Sequence, residues 1–250
     1  MQALPGEATV FLILFARIGA VLMLLPVFSE EAVPGRIRLL MSLGLAAGLW
    51  GLLQGKVPAA VTAATALPGV LIAELLVGLS IGMIVKLMFY AAAMAGSIIS
   101  MQVGLSSVLV YDASQGSQAP LLGKLVMVAA TVVCMGFGVH HLWITSLVQS
   151  YSLFPVGALP PGEDFARLAV SVTSDATRLA VSLAAPLIVY GIVFNAALGL
   201  SARMAPAIQV FFIAQPLNLL IGLSLFAMTI GAVLTTFAQS MAAWMQATWI

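Results

Sequence analysis

The chain has 250 residues, of which 62% are hydrophobic and only 7% charged, against roughly 25% charged in ordinary soluble domains. No water-soluble core of this size needs so much apolar surface, so the composition is that of an integral membrane protein. The net charge of +1 gives no support to nucleic-acid binding through a basic patch, and the single cysteine, Cys134, has no partner within the chain.

A helix needs about 20 apolar residues to cross the hydrocarbon layer. The amino terminus lacks a basic n-region, and its first apolar run, 10–28, passes any credible cleavage site, so no removable signal peptide is expected. Arg17 sits inside that run. A shorter run, 39–53, follows, then a polar link at 54–58. From Leu67 the chain stays mostly apolar to Val110, broken by Glu74 and Lys86. That length predicts either two crossings or one long bent helix.

A polar tract with apolar members comes next at 106–118, and apolar residues resume over 121–148 apart from Lys124 and the pair His140–His141. Residues 150–167 read as a loop, marked by Pro155, Pro160, Pro161 and Gly162. Another span is expected over 179–200. The chain then breaks at Gly199-Leu-Ser-Ala-Arg203-Met204-Ala-Pro206, and 207–250 carries no charge at all. This last stretch is too long for one ordinary crossing. Either it turns near Thr229–Gly231, or its end is a helix lying against partner proteins. No strand-period alternation is present and the runs are too long for a barrel. The expected fold is all-α. Basic residues are spread almost evenly among the loops, so the positive-inside rule gives no firm topology.

Catalytic chemistry has little to stand on. Gly123-Lys124 lacks the glycine five residues earlier and the following Ser or Thr of a phosphate loop. Adjacent His140 and His141 point about 100° apart on a helix and cannot chelate one metal together. No nucleophilic triad or carboxylate pair is evident, so no enzyme, metal or cofactor is expected. Charges inside apolar runs usually mark function or partners. Arg17, Glu74 and Lys86 read as polar contacts between helices or subunits, and Glu74 as a proton carrier in a secondary transporter is the competing reading. Gly78 and Gly82 have the spacing that lets helix backbones approach.

The tract 106–118 contains Ser106, Ser107, Val108, Leu109, Val110, Tyr111, Asp112, Gln115 and Gly116. It is too apolar for a merely solvated link and too irregular for lipid, which tolerates non-helical backbone only where protein or a cavity surrounds it. A loop folded into a protein-lined lumen suits both properties. Met83, Met88, Met94 and Met101 lie just upstream, where a deformable apolar lining would be useful.

Three stretches resemble the FliR family of flagellar export-gate proteins, whose injectisome counterparts are the SctT proteins. They are Arg17-Ile-Gly-Ala-Val-Leu-Met-Leu-Leu-Pro26 with the basic segment 33–39; Glu74-Leu-Leu-Val-Gly78 leading to Gln102-Val-Gly-Leu-Ser106 and His141-Leu-Trp143; and Asn195 to Pro206 with Gln215-Pro216 and Gly222. The Arg-Met-Ala-Pro element after an Ala-Leu-Gly-Leu helix is the most specific.

The resemblance implies a single-copy subunit of the flagellar type III protein export gate, in the bacterial inner membrane within the basal body. FliP and FliQ would be its gate partners, FlhB would dock at the entrance, and unfolded flagellar proteins would be the substrates. It implies long kinked helices in tilted hairpins, with a FliP-like part at 1–165 and a FliQ-like hairpin at 166–250. The family's plug loop falls on 106–118, and Gly199, Arg203, Met204 and Pro206 fall on the hairpin tip near the entrance. An injectisome gate subunit is the closest alternative.

Overall fold

The computed structural model describes residues 6–29, 33–59, 65–105, 109–112, 117–160, 162–204 and 210–249. It is all-α apart from one small hairpin: α1 (Gly6–Leu24), α2 (Gly35–Leu53) with a 3-10 turn at Gln54–Lys56, α3 (Leu67–Val103), β1 (Leu109–Asp112), β2 (Ser117–Pro120), α4 (Leu121–Gly136), α5 (Val139–Leu153), α6 (Gly162–Met204) and α7 (Val210–Trp249). Among the described residues, five helices are long and apolar enough to cross a membrane, or six spans result if α4 and α5 count as one broken crossing.

Several boundaries differ from expectation for local reasons. Within the 67–110 region, Leu67–Val103 forms one helix of 37 residues, about 55 Å long. Within 121–148 the chain breaks at Phe137 and Gly138, where Gly138 adopts φ 75°, a value only glycine takes readily. The span expected over 179–200 is the apolar part of a 43-residue helix that begins at Gly162, inside the expected loop. No turn occurs at 229–231: Gly231 lies within the continuous α7, and Thr229 bonds its hydroxyl to the Leu225 carbonyl within it. A hydroxyl satisfied in this way is tolerated inside a helix. Gly199 likewise stays helical, and α6 continues to Met204.

The chain packs as two compact units, Met1–Met88 with His140–Thr173 and Ala243–Ile250, and Phe89–Val139 with Ser174–Ala242. In the first, α1 and α2 run antiparallel, with Phe11 on Trp50 at 5.8 Å between ring centroids and Gly19 facing Ser42. The first half of α3 lies parallel to α1. Here a Cβ on Gly78 would come 2.6 Å from the Arg17 carbonyl and 2.7 Å from Ala20 Cβ, and one on Gly82 2.8 Å from Leu24 Cβ. The two glycines four residues apart therefore bring the backbones together. Ile13, Leu14, Ile18, Leu53 and Ile81 fill this core with no more than 2% exposure.

In the second unit, Gly96 and Gly123 let α3 cross the start of α4, since a Cβ on Gly96 would stand 2.5 Å from the Leu122 carbonyl. Phe89 meets Phe237 edge to face at 5.3 Å, and Leu187 and Met241 of this unit are fully buried. The end of α3 is closed by a Schellman turn. Leu105 N–H donates to Ser100 O at 2.9 Å and Gly104 N–H to Met101 O at 3.3 Å, with Gly104 at φ 87°.

Replacing Gly78 by Ala forces backbone apart in a packed crossing and should cost about 1–3 kcal/mol. Replacing Gly48, which faces open space on α2, should be neutral or stabilise by up to about 1 kcal/mol. Thermal unfolding of the detergent-solubilised protein separates the two; equal melting temperatures would rule out a close α1–α3 approach.

Candidate functional sites: a buried ion pair and the hairpin between membrane helices

Arg17 and Glu74 come together in the first unit, 57 residues apart in the chain. Both side chains have no exposed surface. The guanidinium presents Nε to Glu74 Oε2 at 2.7 Å and Nη2 to Oε1 at 2.9 Å. This is the bidentate geometry in which charge-assisted bonds are strongest. Nη1 donates to the Ser150 carbonyl at 3.2 Å, and the Tyr151 ring stacks 4.2 Å from the guanidinium carbon. Glu74 Oε1 also accepts the Gly157 backbone N–H at 3.0 Å, in a turn where Gly157 takes φ 83°. Tyr151 donates its hydroxyl to the Leu14 carbonyl at 3.4 Å.

The cluster thus ties α1, α3, α5 and the turn after α5 around two opposite charges. Ser150, Tyr151 and Gly157 were not anticipated from sequence. The signal available was modest: a tyrosine and a glycine-containing turn at the end of an apolar helix. Lys86 is elsewhere on α3, half-buried, and does not join this cluster; among the described residues it makes no ion pair or hydrogen bond.

In the tract 106–118, the backbone at Leu109, Val110, Tyr111 and Asp112 forms β1, antiparallel to β2, with Leu109 opposite Pro120, Val110 opposite Ala119, Tyr111 opposite Gln118 and Asp112 opposite Ser117. The expected loop is therefore in part a hairpin, too short for strand periodicity to be readable in the sequence. Ser106, Ser107, Val108, Gln115 and Gly116 lie outside the described residues. The hairpin separates α3 from α4, two strongly apolar helices. Upstream on α3, Met83, Met94 and Met101 are exposed while Met88 is buried.

At the second break, Gly199 and Arg203 are exposed on the last turns of α6, and Met204 is 87% exposed. Pro206 lies outside the described residues. The first part of α6 is polar, with Glu163 and Arg167 paired at 2.6 Å on an exposed face and Asp175 and Arg178 further along.

Residues 8–244 match the family described as bacterial export proteins, family 1. The chain belongs to this family. It is 40% identical over 222 residues to the flagellar biosynthetic protein FliR of Caulobacter vibrioides, covering 88% of each chain. Identity to the FliR of Escherichia coli is 32% over 215 residues, covering 84% of this chain and 80% of that one. For the FliR of Bacillus subtilis it is 28% over 212 residues, covering 84% and 81%. The chain is a membrane-embedded subunit of the flagellar export apparatus. This family member thus carries its buried charges in an export component, and the injectisome and transporter readings are not favoured.

Removing one partner of the buried pair leaves the other charge stranded, which typically costs about 3–5 kcal/mol, whereas a matched apolar pair is often near neutral. Arg17→Ala and Glu74→Ala should therefore each collapse the yield of folded protein, and the double variant Arg17→Met/Glu74→Leu should recover more than either. Folded yield in fluorescence-detected size exclusion checks this ordering. A Glu74→Ala protein as stable as the parent would mean that the pair holds nothing together.

Proposed function

We propose that this subunit forms part of the closed pore of the flagellar protein export gate, and that the hairpin at 109–120 is its plug. The observation that carries the reading is the hairpin's own hydrogen bonding. A two-stranded sheet leaves both outer edges with unpaired N–H and C=O groups, each costing several kcal/mol in hydrocarbon. Lying between a membrane-length helix, α3, and the shorter apolar α4, it needs a water-filled or protein-lined lumen. A gate closed by such an element would open by moving it aside when an unfolded flagellar protein enters.

The partners in this reading are FliP and FliQ within the gate, and FlhB at the entrance near Arg203. The site of action is the bacterial inner membrane at the flagellar basal body. Residues 1–165 would form a FliP-like part and 166–250 a FliQ-like hairpin whose tip is the Gly199–Pro206 segment. The protein catalyses no reaction in this scheme; the energy for export comes from other components. Glu74 acts as a structural anion, because its two oxygens are already occupied by Arg17 and Gly157.

The exposed apolar surface supports an obligate assembly. Only 17% of the most apolar stretch of α2 and 22% of that of α7 is buried within the chain, against 50% for α1. Neighbouring subunits and lipid would cover the rest.

Deleting 109–120 should make cells or vesicles carrying the assembled gate leak small ions and dyes, without loss of complex. Unchanged conductance in a correctly assembled deletion complex would remove the plug assignment. A chain purified alone as a folded, monodisperse monomer would contradict the obligate assembly.

A further inference from the structure

The end of α3, from which the chain enters the hairpin, is held by side chains from two other helices of the second unit. Of the last four α3 carbonyls, Ser100 and Met101 are satisfied by the Schellman turn. The next, Gln102 O, accepts a bond from Asn218 Nδ2 on α7 at 3.3 Å. Asn218 Oδ1 in turn accepts the Tyr190 hydroxyl from α6 at 2.8 Å. The orientation of the Asn218 amide is thereby fixed, since only its N–H₂ end can face a carbonyl and only its oxygen can take the phenol proton.

Glycines clear the space. A Cβ on Gly191, next to Tyr190, would overlap the Gln102 side-chain amide, and one on Gly222, one turn after Asn218, would stand 3.0 Å from Val103. At Gly104 a Cβ would meet Asn218 Nδ2 at 3.2 Å. Asn218 is 91% buried, at 9% exposure, in an otherwise charge-free helix. A neutral amide there has a cost unless it is fully bonded.

Each clasping helix also carries an interior proline close by. Pro186 lies four residues before Tyr190 and Pro216 two before Asn218. A proline removes one i→i−4 bond and makes a helix easier to bend at that point. A small bend in α6 or α7 would therefore move the phenol or the amide away from α3.

The geometry points to Tyr190 and Asn218 as positioning residues that clamp the root of the hairpin, so that the α6–α7 pair sets whether the chain leaves α3 in its closed direction. This rests on the plug reading above. The clamp transmits no chemistry; it is a polar latch between the helix that feeds the hairpin and two helices able to bend.

The test uses the assembled export complex in its membrane and two substitutions that keep volume but remove bonding, Asn218→Leu and Tyr190→Phe. Amide exchange at Gly104 and Leu105, whose N–H groups close the Schellman turn, reports how firmly the end of α3 is held. Asn218→Leu should speed it roughly fivefold or more, the factor that one lost hydrogen bond of about 1 kcal/mol represents. Tyr190→Phe should have a smaller effect, and ion leak should follow the same order. A residue that only fills space would tolerate both changes.

Parent-like exchange in Asn218→Leu overturns the inference. So does a parent-like seal in that variant when the 109–120 deletion leaks. If the deletion itself does not leak, the plug reading fails, and the exchange rates alone then decide whether the latch exists.

Discussion

A guanidinium and a carboxylate with no exposed surface can share an apolar interior only when their hydrogen-bonding positions are occupied. Arg17 and Glu74 meet that condition through the Ser150 carbonyl, the Tyr151 ring and the Gly157 amide. The remainder of the first unit follows from it. The α1–α3 crossing must be close enough for a bidentate bond, and this explains why Gly78 and Gly82 stand on the α1-facing side of α3. The left-handed turn at Gly157 exists where its N–H can reach the carboxylate. Stability in this region depends on geometry more than on the pair's Coulomb attraction, because desolvation offsets much of the latter.

The second unit meets the same demand with neutral groups. Its helix end is satisfied by a Schellman turn and by one amide supplied from another helix. Charge would be harder to accommodate here, where α7 carries none over its whole length. The two units thus use different chemistry for the same constraint, that no backbone or side-chain polar group be left bare in an apolar surrounding.

Much of this architecture was legible in the chain. The apolar runs located the apolar part of each long helix, since hydropathy depends on composition and survives tertiary packing, but not the polar first turns of α6 from Gly162. Prolines set the starts of α2 and α4, where Pro34 and Pro120 precede the first helical residue. Arg17 and Glu74 stood out individually because charge is rare in such runs. Their pairing did not, for nothing local records which of the distant charges will meet. Tyr190 and Asn218 were passed over for a related reason: they are neutral, and attention to charge alone misses an amide in the middle of an uncharged helix. Gly199 lies within α6, and of the two readings of 207–250 the turn at 229–231 does not occur, because glycine and threonine weaken a helix only slightly when the surroundings favour it, as the continuous α6 and α7 show.

The position of Arg17 near the start of the chain also has a consequence for the order of events in synthesis. Glu74 follows it by 57 residues and Ser150 by 133. At bacterial elongation rates of about 5–20 residues per second, the guanidinium precedes its carboxylate by roughly 3–11 seconds. During that interval α1 is an apolar segment with an unmatched cation, which hydrocarbon disfavours by about 2.5 kcal/mol or more at mid-depth. The helix therefore has reason to linger at the interface or at the insertion machinery until α3 arrives. The α1 crossing is completed by α3, made later, and the timing of translation becomes part of how the protein is built.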